Sequence, residues 1–222
     1  MPVERLIAVP DDVDDNSACQ VSLNPLTAWG LVETAQVTAG DWIVITAATS
    51  TVANLIATVC RVRHIKTLGI VRGSAEQAAT RCGTDAIVSA ADPKLRDTLL
   101  ERTGGGGGAL LDSVGGPLLS TLLPALRAGA RILAYGVQDP MPVPITNAML
   151  IYSNLTWMGF GIDRWLASID VRARQRAHST IWSMIREHKL KLPVAATVGL
   201  KDFRRGLQID ATPTRTGKVL LV

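Results

Sequence analysis

Short apolar runs alternate with stretches of helical spacing along most of this chain, and that alternation restricts the fold more than any other feature. Ile43, Val44 and Ile45 form a continuous apolar run of the kind shown by strands buried on both faces. Val52, Leu55, Ile56 and Val59 follow at helical spacing, so ITAATSTVA carries the chain from strand into helix with almost no loop. The pattern repeats. Strands are predicted near 43–47, 67–71, 85–88, 109–112, 131–135 and 155–160. Ser74 with Gln77 reads as a capping box for a helix that stops near Gly83. Asp92 and Pro93 read as the N-cap and first position of a helix reaching Arg102, and 117–127 supplies another. Strands joined through helices must lie parallel, so the predicted class is α/β, a doubly wound parallel sheet of the Rossmann type.

The ends read differently. An acidic, irregular segment, VPDDVDDNSA, precedes a helix at about 26–34. After Phe160 come a basic amphipathic helix (about 173–188), a short strand VAATVG, a helix DFRRGLQI and a closing strand GKVLLV. Arg172, Arg174, Arg176, Arg186, Lys189 and Lys191 are read as a solvated helix face, because Ile181, Trp182 and Ile185 give that helix an ordinary buried side. The formal charge of +4 suits an anionic ligand such as a nucleotide and is too small to argue for nucleic acid. At 47% hydrophobic, the chain has ample material for a core. Cys19, Cys60 and Cys82 are widely spaced and lack a CxxC pattern, which argues against a disulfide framework or structural zinc and for a reducing setting. No apolar stretch suits a membrane span, and residues 1–10 lack the shape of a signal peptide. The glycine run 104–108 lacks the Lys-Ser/Thr of a P-loop and is expected to be a flexible loop.

Two places bear on ligand chemistry. A phosphate-binding turn needs a backbone that bends sharply at a helix N-terminus, which glycines allow. Here the turn is Thr49, Ser50, Thr51, Val52 and Ala53, without a glycine; its hydroxyls could bond phosphate oxygens, and a capped turn with no ligand is the alternative. At the end of the second strand an acidic residue would select NAD, whereas an Arg accommodates the 2′-phosphate of NADP. This chain has Arg72, followed by Gly73 and Ser74, so NADP is favoured over a plain surface arginine. His64, His178 and His188 have no partnered nucleophile, and no catalytic acid is assigned.

VSLNPLTAWGLVE, GDWIVITAATSTVANLIATV, LGIVRG, LLDSVGG, ILAYG, IYSNLTWMGFGIDRW and TGKVLLV occur in an order that resembles the medium-chain dehydrogenase/reductase superfamily. Within it, the zinc-independent quinone oxidoreductases and 2-enoyl thioester reductases fit best, and SNLTWMGFGIDRW carries the similarity to enoyl-thioester reductases. The resemblance implies NADPH-dependent reduction of an activated C=C bond or a quinone, without a metal. It implies three parts: 1–23 as the end of a GroES-like catalytic domain, 24–160 as the nucleotide-binding domain, and 161–222 as the return to the catalytic domain. Most of that catalytic domain, with the tyrosine such enzymes are thought to use as proton donor, has no counterpart here; Tyr135 and Tyr152 lie outside the matching block. The chain by itself is therefore expected to turn over substrate poorly. By resemblance Asn24, Tyr135, Gly136, Val137, Gln138, Phe160, Gly161, Ile162 and Lys218 line the nicotinamide half of the cofactor, although Tyr135 and Phe160 read equally as packing aromatics. Thr51 stands at the family's central glycine, and Gly161 at a bulky aromatic. A homodimer through the edge near 154–160 is implied, as is a cytoplasmic location, or mitochondrial for a eukaryotic enoyl thioester reductase. The competing reading is a non-catalytic nucleotide-binding or dimerisation module.

Overall fold

The computed structural model describes residues 6–212 and 215–222. In chain order these form α1 (Asp15–Ala18), α2 (Asn24–Ala35), β1 (Trp42–Ile45), α3 (Thr51–Val62), β2 (Lys66–Val71), α4 (Ala75–Ala78), β3 (Ala86–Ser89), α5 (Leu95–Thr103), β4 (Gly107–Asp112), α6 (Leu118–Leu122), β5 (Leu126–Ala134), α7 (Asn147–Tyr152), β6 (Thr156–Gly159), α8 (Ile162–Ser168), α9 (Val171–Arg186), β7 (Val194–Val198), α10 (Phe203–Asp210) and β8 (Lys218–Leu221). They divide into two units, Thr27–Asp170 and Met1–Leu26 with Val171–Val222.

In the Thr27–Asp170 unit six strands form one parallel sheet in the order β3-β2-β1-β4-β5-β6. The chain winds outward from β1 to β3, then crosses back to β4 and winds the other way. This is the doubly wound, Rossmann-like sheet that the alternation predicts. Both faces are covered. On one, Val44, Leu68, Ile70, Leu110 and Ile132 pack with Leu95 and Leu99 of α5 and Leu119 and Leu122 of α6. Residues of opposite parity, Ile43, Ile45, Leu111 and Leu133, are just as deeply buried on the other face, and α3 buries Leu55, Ile56 and Val59. Removing a Leu or Ile side chain from water contributes roughly 1.5–3 kcal/mol, so these strands stabilise the unit through both surfaces.

Boundaries depart from the periodicity where local chemistry intervenes. The helix expected over 117–127 ends at Leu122 and gives way to a single 3-10 turn, Leu123–Ala125. Pro124 has no N–H to continue the ladder, and β5 begins at Leu126, earlier than predicted. The helix expected to run from Ser74 to near Gly83 stops at Ala78. Asn54 on α3 holds the segment that follows, donating to the Arg81 carbonyl at 3.0 Å and accepting the Gly83 N–H. Asp92 precedes α5 rather than capping it, accepting from Lys94 N and from the Thr98 hydroxyl, both at 2.8 Å.

The glycine run is an ordered turn, not a flexible loop. Gly104, Gly105 and Gly106 have φ of 68°, 115° and 124°, a sequence of backbone states that side chains resist. Gly105 N donates to Leu100 O at 2.9 Å and Gly106 N to the Thr103 hydroxyl at 3.0 Å, closing the end of α5 directly onto β4.

In the second unit α9 buries Ala177, Ile181, Trp182 and Met184, while Arg172 and Arg176 are exposed. β7 and β8 pair in parallel. Gln20 Nε2 donates to Leu192 O at 3.1 Å, and Arg186 pairs with Asp12 at 3.0 Å, joining the segment before α2 to the end of α9 and the region that follows it. All three cysteines are free, and burial pushes the Cys60 thiol up to about 12. Among the described residues no helix is long and apolar enough to cross a membrane.

Gly106 and Gly104 separate close approach from conformation alone. A Cβ on Gly106 would lie 2.7 Å from Arg127 N, whereas one on Gly104 meets open space. Gly106→Ala is expected to lose about 2–3 kcal/mol in denaturant unfolding and Gly104→Ala about 1 kcal/mol; equal losses would show the contact to be irrelevant.

Candidate cofactor site

The sheet changes winding direction between β1 and β4, and in open α/β sheets ligands collect beyond the carboxyl ends of the strands at such a point. Here those ends are tied together through Asp112. Its carboxylate is 1% exposed and accepts the Thr46 hydroxyl at 2.7 Å, Val114 N at 3.1 Å and Gly115 N at 2.9 Å. Thr46, fully buried, in turn accepts Ser113 N at 2.9 Å. Neither Thr46 nor Asp112 is singled out by sequence reasoning; the only hint is an Asp closing the otherwise apolar run ALLD.

Beyond Thr46 the chain turns at Ala47, whose φ is 48°. A left-handed alanine thus supplies the bend for which a glycine is the easy choice. Ser50 then caps α3: its N–H donates to Ala47 O at 2.9 Å and its hydroxyl takes Ala53 N at 3.2 Å. The N–H groups of Thr51 and Val52 find no acceptor among the described residues. Two free donors therefore project from the positive end of a 12-residue helix, which is the arrangement that accepts a phosphate. Thr49, Ser50, Thr51 and Val52 are each half-buried, and the Ser50 hydroxyl is already committed to the cap.

Arg72 directly follows β2, the parallel neighbour of β1, so it sits on the same carboxyl edge. It is exposed and makes no ion pair or hydrogen bond among the described residues. Gly73 is open around its Cα, and Ser74 caps α4 by accepting Gln77 N at 3.5 Å. The loop after β5 is zipped onto the loop after β4: Tyr135 N donates to Asp112 O at 2.8 Å, Gln138 N to Ser113 O at 3.2 Å and Asp139 N to Val114 O at 2.7 Å. Gly136, Val137 and Gln138 are exposed on that rim. The Tyr135 and Ser113 hydroxyls are enclosed, and neither completes a hydrogen bond. Burial pushes the Tyr135 phenol up, opposed by the Ser113 side chain and reinforced by Asp112, so it stays protonated near neutrality.

Phe160 is held by its N–H to Ala134 O at 2.8 Å, and its ring lies 6.4 Å from that of Trp165. Both rings lean on Gly30 of α2, where a Cβ would come within 2.8 Å of each. Gly161, exposed, precedes α8, and Ile162 begins it half-buried. The turn 49–52, residues 72–74, residues 135–138 and Phe160 thus share the carboxyl edge of one sheet. Asn24 opens α2 and Lys218 opens β8, and both belong to the other unit. Among the histidines, His178 is held below its ordinary pKa by burial and by Arg174.

Residues 82–221 match a family described as zinc-binding dehydrogenases. The chain belongs to that family, within the medium-chain dehydrogenase/reductase superfamily. It is similar to the mitochondrial enoyl-[acyl-carrier-protein] reductase of Xenopus tropicalis, 27% identical over 99% of this chain and 65% of the relative. The chain spans less than two thirds of the length of the curated relatives it matches first. A 2-haloacrylate reductase superposes on the whole chain with a TM-score of 0.89 at 23% identity, over 70% of its own length. A mycobacterial protein complexed with NADPH does so with a TM-score of 0.83 at 21% identity, over 69%. Among the described residues no group of three or more His, Cys, Asp or Glu side chains is placed to hold a metal ion.

Ala47→Gly is expected to stabilise the chain by roughly 0.5–1 kcal/mol, because glycine takes a left-handed φ without steric cost. Ala47→Val should cost more than that, since a β-branched residue tolerates the region worst. A thermal melt in which Ala47→Gly falls below wild type would remove the strain from Ala47.

Proposed function

We propose that this chain carries the nucleotide-binding part of a zinc-independent, NADPH-dependent reductase acting on activated C=C bonds, as in 2-enoyl thioesters, or on quinones. The observation that carries the reading is the pairing of two free N–H donors at the start of α3 with an unpartnered Arg72 on the adjacent strand end. Thr51 and Val52 N–H would hold the pyrophosphate, and the Arg72 guanidinium would take the 2′-phosphate through a charge-assisted fork. Gly136, Val137 and Gln138 form the rim against which the nicotinamide end would rest, with backbone fixed by the bonds to residues 113 and 114. The bound cofactor supplies a hydride for the β-carbon of the substrate, and a proton completes the α-carbon. In this arrangement Asp112 and Thr46 keep the two strand ends at constant spacing. No proton donor is assigned among the described residues. The names of the enoyl reductase and 2-haloacrylate reductase relatives support the substrate class, since both substrates hold a double bond polarised by a carbonyl group.

The expected outcome in cofactor titrations is tighter binding of NADPH than of NADH. Arg72→Ala should weaken NADPH by about 10-fold or more and leave NADH unchanged, the range for hydrogen bonds to a charged group. Equal wild-type affinities, unaltered by the substitution, would remove Arg72 from the site.

A homodimer through the edge of the sheet is part of the same proposal. β6 pairs only with β5 among the described residues, leaving a row of backbone groups open. Ile151, Tyr152 and Met158 are exposed near it, at 70%, 88% and 38%. An isologous contact needs one self-complementary patch, which an antiparallel pairing of β6 with its copy provides. Sedimentation at concentrations on the order of 10 µM should show a dimer, and a monomer there would count against the pairing.

A further inference from the structure

A cavity of about 370 Å³ opens on the α2-facing side of β5 and β6, and its lining combines positive charge with aromatic surface. Arg131 and Met158 contribute from the strands, Phe160 from the end of β6, and Arg164 and Trp165 from α8. The geometry points to a binding site for a small carboxylate on a flat, apolar body.

No free carboxylate pairs with this charge among the described residues. Arg131 is half-buried, and its one polar contact among the described residues is to Thr34 O at 3.4 Å, a long bond to a neutral carbonyl at the end of α2. Arg164 makes no ion pair or hydrogen bond among the described residues. Glu33 is the only carboxylate in the lining, and it is engaged with Arg63, which also lies over the Trp29 ring at 4.1 Å. Two guanidinium groups thus face one cavity with no free counter-charge. A planar donor fork matches a carboxylate in bidentate fashion better than it matches a single carbonyl.

The apolar wall is closely packed. Phe160 and Trp165 rest on the backbone of α2 at Gly30, where no side chain intervenes. Rings held in this way present fixed faces on which a flat ligand can stack. The volume is at the small end of the range for ligand sites, enough for about a dozen non-hydrogen atoms. The edge pairing proposed for β6 uses backbone groups in the plane of the sheet, whereas Met158 and Arg131 project from its face. The two proposals share only Met158, and the cavity shares Phe160 with the candidate cofactor edge while its charged groups, Arg131 and Arg164, lie outside that edge.

The probe is 2-naphthoate, with 2-naphthamide as its neutral counterpart, followed by saturation-transfer NMR on the intact chain without nucleotide. Saturable binding of 2-naphthoate is expected with Kd on the order of 1 mM or below, and binding of the amide at least about 10-fold weaker. Arg164→Gln, at an exposed position, should reduce affinity about 10-fold without altering the thermal melt, and Arg131→Gln should do the same or more. Absence of saturable binding overturns the inference. So does equal binding of acid and amide, or an affinity that survives Arg164→Gln, because the paired guanidinium groups would then not be what recognises the ligand.

Discussion

The Asp112 carboxylate is the constraint on which the candidate site depends. A parallel sheet that reverses its winding leaves a gap between two neighbouring strand ends, since the connections from β1 and β4 depart to opposite faces. Something must fix the width of that gap. Here Thr46 and Asp112 bridge it at 2.7 Å, and the Val114 and Gly115 N–H groups add one further bond to each carboxylate oxygen. A carboxylate that is 1% exposed is tolerated only when it is this fully bonded. The consequence runs outward: Ser113, Val114 and Gly115 are shaped by the same carboxylate, and the 135–139 loop is bonded onto them in turn. One buried carboxylate thereby shapes the loops after β4 and β5.

On the opposite rim the turn after β1 solves a different problem. The bend is left-handed at Ala47, and the helix that follows is capped by Ser50 in the ordinary way. What glycines provide in such a turn is access as well as bending. With Thr49, Ser50, Thr51 and Val52 half-buried, side chains border the same space that a phosphate would enter. The Thr51 and Val52 donors remain, but they lie beneath a more crowded approach than a glycine-rich turn would offer. Under the proposed reading, affinity would depend on whether the charge supplied by Arg72 offsets that crowding, since an Arg–phosphate fork is a strong polar contact.

The sheet was legible because its strands are buried on both faces, and burial of that kind demands continuous apolar runs such as Ile43–Val44–Ile45. The position of Arg72 directly after the second strand was legible as well. The misreadings share a physical origin. Pro124 sits within a run that otherwise continues as helix, and periodicity gives it no weight although it ends the ladder. The glycine run looks like a flexible segment by composition, yet each of Gly104, Gly105 and Gly106 occupies a conformation that needs glycine. Thr46 and Asp112, 66 residues apart, meet only because β1 and β4 are neighbours in the sheet, so no local pattern announces them. The resemblance points to 135–138 and Phe160 as candidate lining, but it carries no signal for the packing of Phe160 on α2.

That packing explains why the last strand is covered on one side only. β6 has a single strand neighbour, and its residues are mostly exposed or half-buried. Cover must therefore come from helices, and the closest is brought in by Gly30: without a Cβ, α2 accepts the edges of Phe160 and Trp165 where any larger residue would hold them about a methyl group away. The contact anchors the start of α8 but ends before the end of α2. There Arg131 reaches the Thr34 carbonyl, beside the Glu33 and Gln36 positions that also border the space. An arginine in that position complements the negative end of the helix, yet a carbonyl uses little of its donor capacity. The close approach at Gly30 and the open, positively charged space beside it are two results of the same geometry, because seating the rings at mid-helix fixes where the helix end leaves the sheet uncovered.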